Sequence, residues 1–541
     1  MEEFAALLDA LVYTSSRNEK LRLIAEYLCE TPDPDRGWAL AALTGGLDFP
    51  AVKSSTIRNL MQERVDPVLW SLSRDFVGDT AETASFLWPQ TLPSDTQRAP
   101  SVSEAVNGLS QMTRASVMGE LPKLLDQLDA SGRYALFKLA TGGMRVGVSA
   151  RLAKLAFAQA FHVPVEKVEE YWHALEPPFA ALFAWAAHGA DPPDIANLPL
   201  FKPFMLAHPL EDNVVDLADY VAEWKWDGIR VQLVHAGPEN VGETRLYSRS
   251  GDDISATFPE LVTALDFPAV LDGELLVRGA HQGGEANEAT QGGAASFNAL
   301  QQRLGRKNVS KAMLRDYPAF TRLYDILSLD GEDLRDLPWS ERRAILERLM
   351  VRLPGTHFDL SAVVEADDFD ALAHIREGAR DDAIEGLMLK RRDSPYVSGR
   401  KAGLWYKWKR DPLRVDCVLM YAQRGSGKRS SFYSDYTFGC WTADPDTGGE
   451  LLPVGKAYSG FTDEELKKLD RYVRQNTVNR FGPVRETDKT LVFEVAFDSV
   501  HESKRHKSGL AMRFPRIHRI RWDKPAHEAD LIETLMALVR D

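Results

Sequence analysis

A lysine flanked by two tryptophans is the residue in this sequence most able to do covalent chemistry. Lys225 lies between Trp224 and Trp226, and Asp227-Gly228 follows directly. The runs on either side predict two strands, and Asp-Gly predicts the turn between them. An amine attacks an electrophile only when neutral, and partial burial between the tryptophans would lower its pKa toward that state. On this stretch alone, a surface hairpin with a solvated lysine is the favoured explanation, so residues elsewhere must decide.

Charged residues interrupt otherwise apolar runs further along the chain. They are Arg230, Arg249, Glu274, Glu385, Lys407 and Lys409. A charge in such a position is costly unless it is paired or binds a ligand. Transfer of a nucleotide from a triphosphate needs a nucleophile, cations along the phosphates, carboxylates for a divalent metal ion and an aromatic ring for the base. Tyr324 offers such a ring. A buried ion-pair network without a ligand is the alternative explanation.

The elements that must position these residues change character along the chain. Residues 1 to about 200 are predicted to be helical, with apolar spacing of three and four residues in 4–11, 20–28 and 121–128 and an amphipathic helix at 150–161. A proline-rich linker is predicted at 199–209. Short strands and helices then alternate to about residue 410, which predicts an α+β domain.

Two stretches of the later sequence give more specific structural predictions. Residues 269–277 predict a pair of apolar strands interrupted by Asp-Gly-Glu. Residues 411–541 are mostly strand, with one helix introduced by the capping pattern that starts at Thr462. Five or so strands with one inserted helix predict a small β-barrel of the OB type.

Bulk composition limits the class of protein. With 541 residues the chain is too long for a single core. The start is acidic and no apolar run reaches the length of a membrane span, which predicts a soluble, cytoplasmic protein. The cysteines at 29, 417 and 440 lack the spacing of a zinc module or a disulfide framework.

The charge is unevenly distributed. A net charge of −14 argues against a nucleic-acid partner. Basic residues nevertheless cluster at 390–392, 400–414, 424–429 and 504–524. Phosphate binding needs only local positive potential, so these clusters keep a nucleic-acid partner open. A solvated charged face is the alternative.

Six motifs in order resemble the nucleotidyltransferase motifs of ATP-dependent DNA ligases. They are KWDG at 225–228, SR at 248–249, LDGE at 271–274, LYDI at 323–326, EGLMLK at 385–390 and KWK at 407–409. RFPRIHRIRWDK at 513–524 resembles the last motif of that family. Residues 1–200 resemble the helical DNA-binding domain of the larger archaeal and eukaryotic-type ligases, most clearly in MRVG at 144–147. The resemblance therefore covers essentially the whole chain.

The resemblance implies three domains and a three-step reaction. A helical DNA-binding domain would span 1–200, an ATP-grasp-like nucleotidyltransferase domain 201–410 and an OB-fold barrel 411–541. Lys225 would take AMP from ATP as a phosphoramide and pass it to the 5′-phosphate at a nick. The 3′-hydroxyl would then attack and release AMP. The expected cofactors are ATP and Mg²⁺, and the expected partner of a monomeric enzyme is nicked double-stranded DNA.

Individual roles also follow from the resemblance. Glu223 would contact adenine and Tyr324 would stack on it. The remaining nucleotide contacts would be Arg230, Arg249, Glu274, Lys407, Lys409 and either Arg400 or Lys401. Glu274 and Glu385 would hold the metal ion. The closing motif would comprise Arg513, Arg516, Arg519, Arg521, Asp523 and Lys524, and Arg145 would contact DNA.

Two departures and three rivals accompany the resemblance. Tyr324 stands where phenylalanine is usual, and the loop 279–295 has no assigned role. An NAD-using ligase would carry a four-cysteine zinc module, which three scattered cysteines cannot form. Capping enzymes and RNA ligases share the lysine motif, so the choice of DNA depends on 1–200 and 513–524. A non-catalytic DNA-binding protein is opposed by the presence of Lys225 with its carboxylates and lysines.

Overall fold

A computed structural model describes residues 1–89, 98–195, 198–211, 215–238, 242–279, 293–295, 297–304, 306, 309–378, 383–425, 432–503 and 506–539. Three stretches singled out in the sequence lie partly outside the described residues. They are 280–292 of the loop 279–295, 426–429 of the basic run 424–429, and Lys504 with Arg505. The chain forms two compact units, Met1–His162 with Asp411–Asp541, and Val163–Arg410.

The first 162 residues are helical, as the apolar spacing predicts. The helices are α1 (Glu2–Tyr13), α2 (Arg17–Glu30), α3 (Asp35–Thr44), α4 (Ser54–Arg64), α5 (Pro67–Val77), α6 (Thr80–Leu87), α7 (Val102–Gln111), α8 (Val117–Leu125), α9 (Ala130–Thr141) and α10 (Ala150–Ala160). Side-chain caps define several starts: Ser16 accepts from the Glu19 amide, and Ser101 forms a capping box with Glu104. The predicted helices at 4–11, 20–28 and 150–161 are confirmed, whereas the one predicted at 121–128 ends at Leu125 of α8.

Two further helices belong to the second unit. They are α11 (Val165–Trp172) and α12 (Ala180–His188). Glu170 on α11 pairs with Arg335 at 3.1 Å. The His173 ring lies 5.3 Å from Phe201 and 5.5 Å from Tyr247. Contacts of this kind attach 163–188 to the α+β part of the chain.

The second unit contains two principal sheets. Its strands are β1 (Met205–Leu206), β2 (His208–Pro209), β3 (Tyr220–Trp226), β4 (Ile229–Ala236), β5 (Glu243–Ser248), β6 (Ala269–Val277), β7 (Ala319–Leu329), β8 (Glu332–Asp333), β9 (Phe358–Leu360), β10 (Val363–Val364), β11 (Ile384–Arg391), β12 (Gly399–Arg400) and β13 (Trp405–Lys409). Its other helices are α13 (Pro259–Val262), α14 (Phe297–Gln301), α15 (Lys311–Asp316), α16 (Trp339–Leu349) and α17 (Phe369–Gly378). One sheet has the order β10-β3-β11-β13-β2 and the other β5-β4-β6-β7-β8.

The turn at Asp227-Gly228 passes the chain between these sheets, so β3 and β4 do not form the hairpin that the local sequence permits. A Cβ on Gly228 would lie 2.4 Å from the Leu275 carbonyl oxygen, which explains the glycine. The prediction of two short strands at 269–277 is wrong. β6 is one nine-residue strand. Gly273 lets it approach β7 closely, since a Cβ there would lie 2.7 Å from the Arg322 carbonyl oxygen.

The C-terminal segment is built on the long strand β14 (Leu413–Arg424). The other strands are β15 (Tyr433–Trp441), β16 (Leu451–Ala457), β17 (Thr477–Phe481), β18 (Val484–Thr487), β19 (Val492–Phe497), β20 (Ser499–Glu502), β21 (Leu510–Arg513) and β22 (Arg516–Arg521), with helices α18 (Asp463–Gln475) and α19 (Ile532–Met536). β15 lies along one edge of β14, and β19 and β18 share the other. The predicted capping box of Thr462 and Glu465 starts α18.

The prediction of a closed barrel is wrong for the described strands. Their sheet follows the order β16-β15-β14-β18-β17, with β19 between β14 and β22, and it is open. β16 ends at Ala457 and is not paired with β22 in the described sheet. The amide of Ile517 on β22 donates to the Ser459 carbonyl oxygen at 3.1 Å, but Ser459 lies beyond the end of β16. Within the described ranges, no helix is long and apolar enough to cross a membrane.

Candidate active site

Adjacent strands bring Lys225, Glu385 and Lys409 together. In the β3-β11-β13 ladder, Gly386 pairs with Lys225 on one side and Lys409 on the other. The Lys225 Nζ lies 2.6 Å from Glu385 Oε2, and the Lys409 Nζ lies 3.1 Å from the same oxygen. Gly386 has φ +147°, and a Cβ there would lie 2.3 Å from the Trp408 carbonyl oxygen. A glycine therefore lets three strands approach where the charges meet.

The tryptophans beside Lys225 do not enclose its amine as the sequence suggested. Neighbouring side chains of a strand point to opposite faces, so Trp224 and Trp226 point away from the face of β3 that carries Lys225. Trp224 packs beside Leu387, and the Trp226 indole nitrogen donates to Ser361 at 3.1 Å. Lys225 is nevertheless only 22% exposed at its side chain.

Positive charge is in excess around this group. Burial alone would raise the pKa of Glu385, but Lys225 and Lys409 outweigh it and hold the pKa at about 2. Burial lowers the pKa of Lys407, and neighbouring cations lower it further. Those cations are Arg400, Lys409, Lys225 and Arg249. Five basic residues thus share one region with Glu385, a strong site for a polyanion.

Glu274 lies on the neighbouring sheet. Glu274 on β6 is the cross-strand neighbour of Arg230 on β4. Burial raises the pKa of Glu274 to about 7, although Lys225 and Arg230 oppose that shift, while Glu385 contributes to it. The interaction with Lys225 and Glu385 shows that both predicted metal-binding carboxylates lie near the predicted nucleophile. Both are oxygen donors of the kind that Mg²⁺ prefers.

The guanidinium of Arg230 is held by contacts within the protein. It forms two bonds to Asp272, at 3.1 and 2.6 Å, and donates to the Met205 carbonyl oxygen at 2.6 Å. It also lies 4.2 Å from the centre of the Phe204 ring. Burial would lower the pKa of Arg230, and the charge of Asp272 more than offsets this. Asp272 is fully buried and accepts from Tyr396 at 2.7 Å.

The role of Asp272 was missed from the sequence. A signal was present, because an aspartate in the apolar run of β6 requires a cationic partner and Arg230 is the cation of the neighbouring run. The structure joins the two, which indicates that Arg230 serves the site by tying β4, β6 and the segment before β3 together.

Glu223 lies in a buried ionic group away from solvent. The Lys390 Nζ is 3.0 Å from Glu223 Oε2, and the Arg343 guanidinium is 3.5 Å from Oε1. Lys390 also lies 4.6 Å from the centre of the Tyr324 ring. Burial raises the pKa of Glu223, and the two cations oppose that shift. Sequence reasoning found Glu223 and Tyr324 but gave no role to Lys390 or Arg343.

Three predicted phosphate ligands are exposed: Arg249 directly after β5, Arg400 at the end of β12, and Lys401 beside it. Arg249 and Arg400 lie close enough to lower the pKa of Lys407. The structure gives no comparable evidence that places Lys401 in the group.

The residues of the predicted closing motif lie in the first unit, on or beside β21 and β22. Arg516 pairs with Asp498 at 3.1 Å, and Arg521 pairs with Asp523 at 3.0 Å. Lys524 donates to Asp416 at 2.7 Å. Arg519 is exposed, and the Arg513 guanidinium lies 5.1 Å from the Phe514 ring centre.

Arg145 lies in a loop that a buried lysine holds. Its φ is +50°, in the left-handed region. The Lys20 Nζ donates to the carbonyl oxygens of Val146 at 2.7 Å and Gly147 at 3.0 Å. A Cβ on Gly147 would lie 2.4 Å from that Nζ. The loop that presents Arg145 is therefore fixed by α2.

The chain is similar to known proteins along its whole length. The family model described as ATP dependent DNA ligase domain matches residues 204–409, and the model of the ATP dependent DNA ligase C terminal region matches 429–524. A probable DNA ligase of Koribacter versatilis is 33% identical over 100% of this chain and 96% of its own length. DNA ligase 1 of Korarchaeum cryptofilum is 28% identical over 98% of this chain and 97% of its own. The solved structure named Pmar-Lig_Pre shares the fold over 96% of this chain and 99% of its own, with a TM-score of 0.59 at 17% identity.

Proposed function

The chain belongs to the ATP-dependent DNA ligase family, and on that premise we propose that Lys225 is the nucleophile with which it seals nicks in duplex DNA. The Lys225 Nζ attacks the α-phosphorus of ATP, the bond to the β-phosphate breaks, and pyrophosphate leaves. A 5′-phosphate oxygen then attacks the lysyl-AMP phosphorus and breaks the N–P bond. Finally the 3′-hydroxyl attacks the 5′-phosphorus and AMP leaves.

The observation that carries this proposal is the cation group around Lys225. Lys225, Lys409, Arg249 and Arg400 all act on Lys407, and the Glu385 carboxylate orients the Lys225 amine within this group. A triphosphate would neutralise this surplus of positive charge and would stay in position for in-line attack. The ion pair with Glu385 holds the Lys225 amine in place. An ammonium has no free electron pair, so Lys225 attacks only after a proton has left it.

Glu274 and Glu385 would hold Mg²⁺ together with phosphate oxygens of the nucleotide. The two carboxylates lie close enough to affect each other's charge. Among the described residues, no group of three or more His, Cys, Asp or Glu side chains is arranged for a metal ion. Two carboxylates suffice for Mg²⁺, which commonly keeps water and phosphate as its other ligands. When bound, the ion would offset negative charge on the reacting phosphates.

The proposed substrate is nicked double-stranded DNA, bound by a monomer. Arg145 on its fixed loop and the exposed Arg519 are the proposed backbone contacts. Phosphate contacts position a duplex without reading its sequence, as a ligase requires. The closing motif, with Arg513, Asp523 and Lys524, is proposed to reach the nucleotide as the C-terminal domain moves.

Peptide mapping after charging with α-³²P-labelled ATP tests the nucleophile. The full chain should acquire one AMP in an acid-labile, base-stable linkage, and the labelled peptide should contain Lys225. The charged protein should then transfer AMP to nicked duplex and seal it. A label on any other residue would refute the assignment.

We also propose that residues 1 to about 200 bind duplex DNA while 201–410 charge Lys225 and 411–541 form the OB domain. Because α11 and α12 pack on the second unit, a fragment starting at Val163 should take AMP from ATP as the full chain does. A fragment starting at Leu200 loses the Glu170–Arg335 pair and the His173 ring contacts, so it should melt at a lower temperature.

Both fragments should seal nicks far more slowly than the full chain at physiological salt, because the phosphate contacts of the helical domain are lost. Charging, thermal melting and sealing are measured on the same preparations. Equal sealing by the Val163 fragment and the full chain would give the helical domain another role.

A further inference from the structure

We propose that Lys390 sets the choice of purine: its ammonium keeps Glu223 an ionised hydrogen-bond acceptor, which favours a base with an amino group at position 6 over one with an oxo group. The inference rests on the proposed nucleotide transfer and concerns a residue for which that proposal has no role. Lys390 acts through Glu223, so it is a positioning residue.

The contacts of Lys390 show how closely it is held. Its side chain is 2% exposed, and its Nζ lies 3.0 Å from Glu223 Oε2. The same nitrogen lies 4.6 Å from the Tyr324 ring centre and 4.7 Å from that of Trp405. An ammonium enclosed by two aromatic rings and one carboxylate is strongly tied to all three. Lys390 therefore connects the predicted base-stacking ring to the predicted base-contacting acid.

The other charged groups facing Glu223 cannot replace this lysine. Arg343 approaches Glu223 Oε1 only to 3.5 Å, and it donates at 2.8 Å to Glu347 and to the Ser361 carbonyl oxygen. Asp325 on β7 acts in the opposite direction and favours a protonated Glu223. Since Glu223 is 1% exposed, water does little to stabilise its charge. Lys390 is the nearer of the two cations that do.

The strand places Glu223 where a base attached to the reacting nucleotide would lie. Glu223 and Lys225 are separated by one residue of β3, so their side chains share a face about 7 Å apart. A 6-amino group donates N–H to a carboxylate, whereas a 6-oxo group is itself an acceptor and is repelled by it. A protonated Glu223 would instead donate to the oxo group. At position 6 of the base, an ionised Glu223 therefore favours an amino group and a protonated Glu223 favours an oxo group.

The test compares Lys390→Met with Lys390→Arg in the full chain. Methionine has a similar length and keeps the ring contacts without the charge, and arginine keeps the charge. Charging with α-³²P-labelled ATP and GTP is measured from pH 6 to 8.5, with the rate constant and KM separated. For Lys390→Met we expect the ratio of ATP to GTP efficiency to fall by about tenfold or more, the scale of one charge-assisted hydrogen bond. Lys390→Arg should retain most of the wild-type ratio.

The pH profile separates a charge effect from a packing defect. Burial raises the pKa of Glu223, and loss of Lys390 would raise it further. The KM of Lys390→Met for ATP should therefore increase as the pH falls, while that of the wild type stays flatter. A folded Lys390→Met with the wild-type ratio and profile would overturn the inference.

A second variant keeps the inference testable if Lys390→Met does not fold. Glu223→Gln has the same shape but cannot titrate, and its amide both donates and accepts. Glu223→Gln should lower the ratio of ATP to GTP efficiency. Its KM for ATP should not increase at low pH. An unchanged ratio would contradict the inference. If the wild type is charged by neither nucleotide, the proposed function itself fails, which is a different result.

Discussion

The two ends of the candidate nucleotide site are built on opposite principles of charge. Lys225 belongs to a group of five basic residues, in which the Glu385 carboxylate is ion-paired with Lys225 and Lys409. Around Glu223, the charges are matched and buried, with Lys390 and Arg343 on one carboxylate and Arg342 paired with Asp325 at 2.8 Å. The excess positive charge lies around Lys225, where a polyanion would bind. The balanced charges lie around Glu223, where a neutral base would bind.

The difference predicts two kinds of mutational behaviour. Half-exposed cations contribute little to stability, because water and neighbouring groups already screen them. Removing one partner of a buried pair leaves an uncompensated charge and costs several kcal/mol. Substitutions at the first end should therefore affect charging with AMP, and substitutions at the second should affect the free energy of unfolding.

The largest effect is expected for Lys225→Ala. It should abolish charging with AMP, because it removes the amine proposed to attack, whereas Lys409, which contacts the same Glu385 oxygen, is expected to bind phosphate. Its free energy of unfolding should change by about 1 kcal/mol, since Glu385 keeps its contact with Lys409. Labelling with ATP and denaturant unfolding are the two measurements. A stable protein–AMP adduct in this variant would show that another residue is the nucleophile.

A large loss of stability is expected for Asp272→Asn. The change leaves the buried Arg230 guanidinium without its carboxylate, at a cost of about 3–5 kcal/mol. The matched control is Asp393→Asn, which removes the same charge from the exposed pair of Arg391 and Asp393. It should cost less than about 1 kcal/mol. The free energy of unfolding of both variants is measured with denaturant. Similar losses would show that the buried and the exposed ion pair do not differ in their contribution to stability.

Much of the charged group around Lys225 could be predicted from the sequence, but little of the group around Glu223 could. Lys225, Lys407 and Lys409 lie in short runs whose alternation is visible, and the order of the motifs supplied Glu385. The partners of Glu223 lie 120 and 167 residues away, on α16 and β11. Only the pairing of β3 with β11 and the packing of α16 bring them together. The open sheet of the C-terminal segment likewise depends on where β16 ends.

The smallest effect should distinguish a surplus cation from a compensated one in the closing motif. Arg519 is exposed, whereas Arg521 is tied to Asp523 and lies 3.5 Å from Asp416. Each phosphate contact contributes roughly one unit to the log–log slope of DNA affinity against salt. Arg519→Gln should therefore lower that slope by about one unit, and Arg521→Gln by less, because its guanidinium already has carboxylate partners.

The control is Arg315→Gln, which makes the same change in net charge at an exposed position of α15 and should leave the slope unchanged. Binding to nicked duplex is measured at several salt concentrations for all three variants and the wild type. Equal slopes for Arg519→Gln and the wild type would place β22 away from the duplex. A larger decrease for Arg521→Gln than for Arg519→Gln would mean that its carboxylate partners release it on binding, so that its pairing in the free protein does not predict its contribution to DNA affinity.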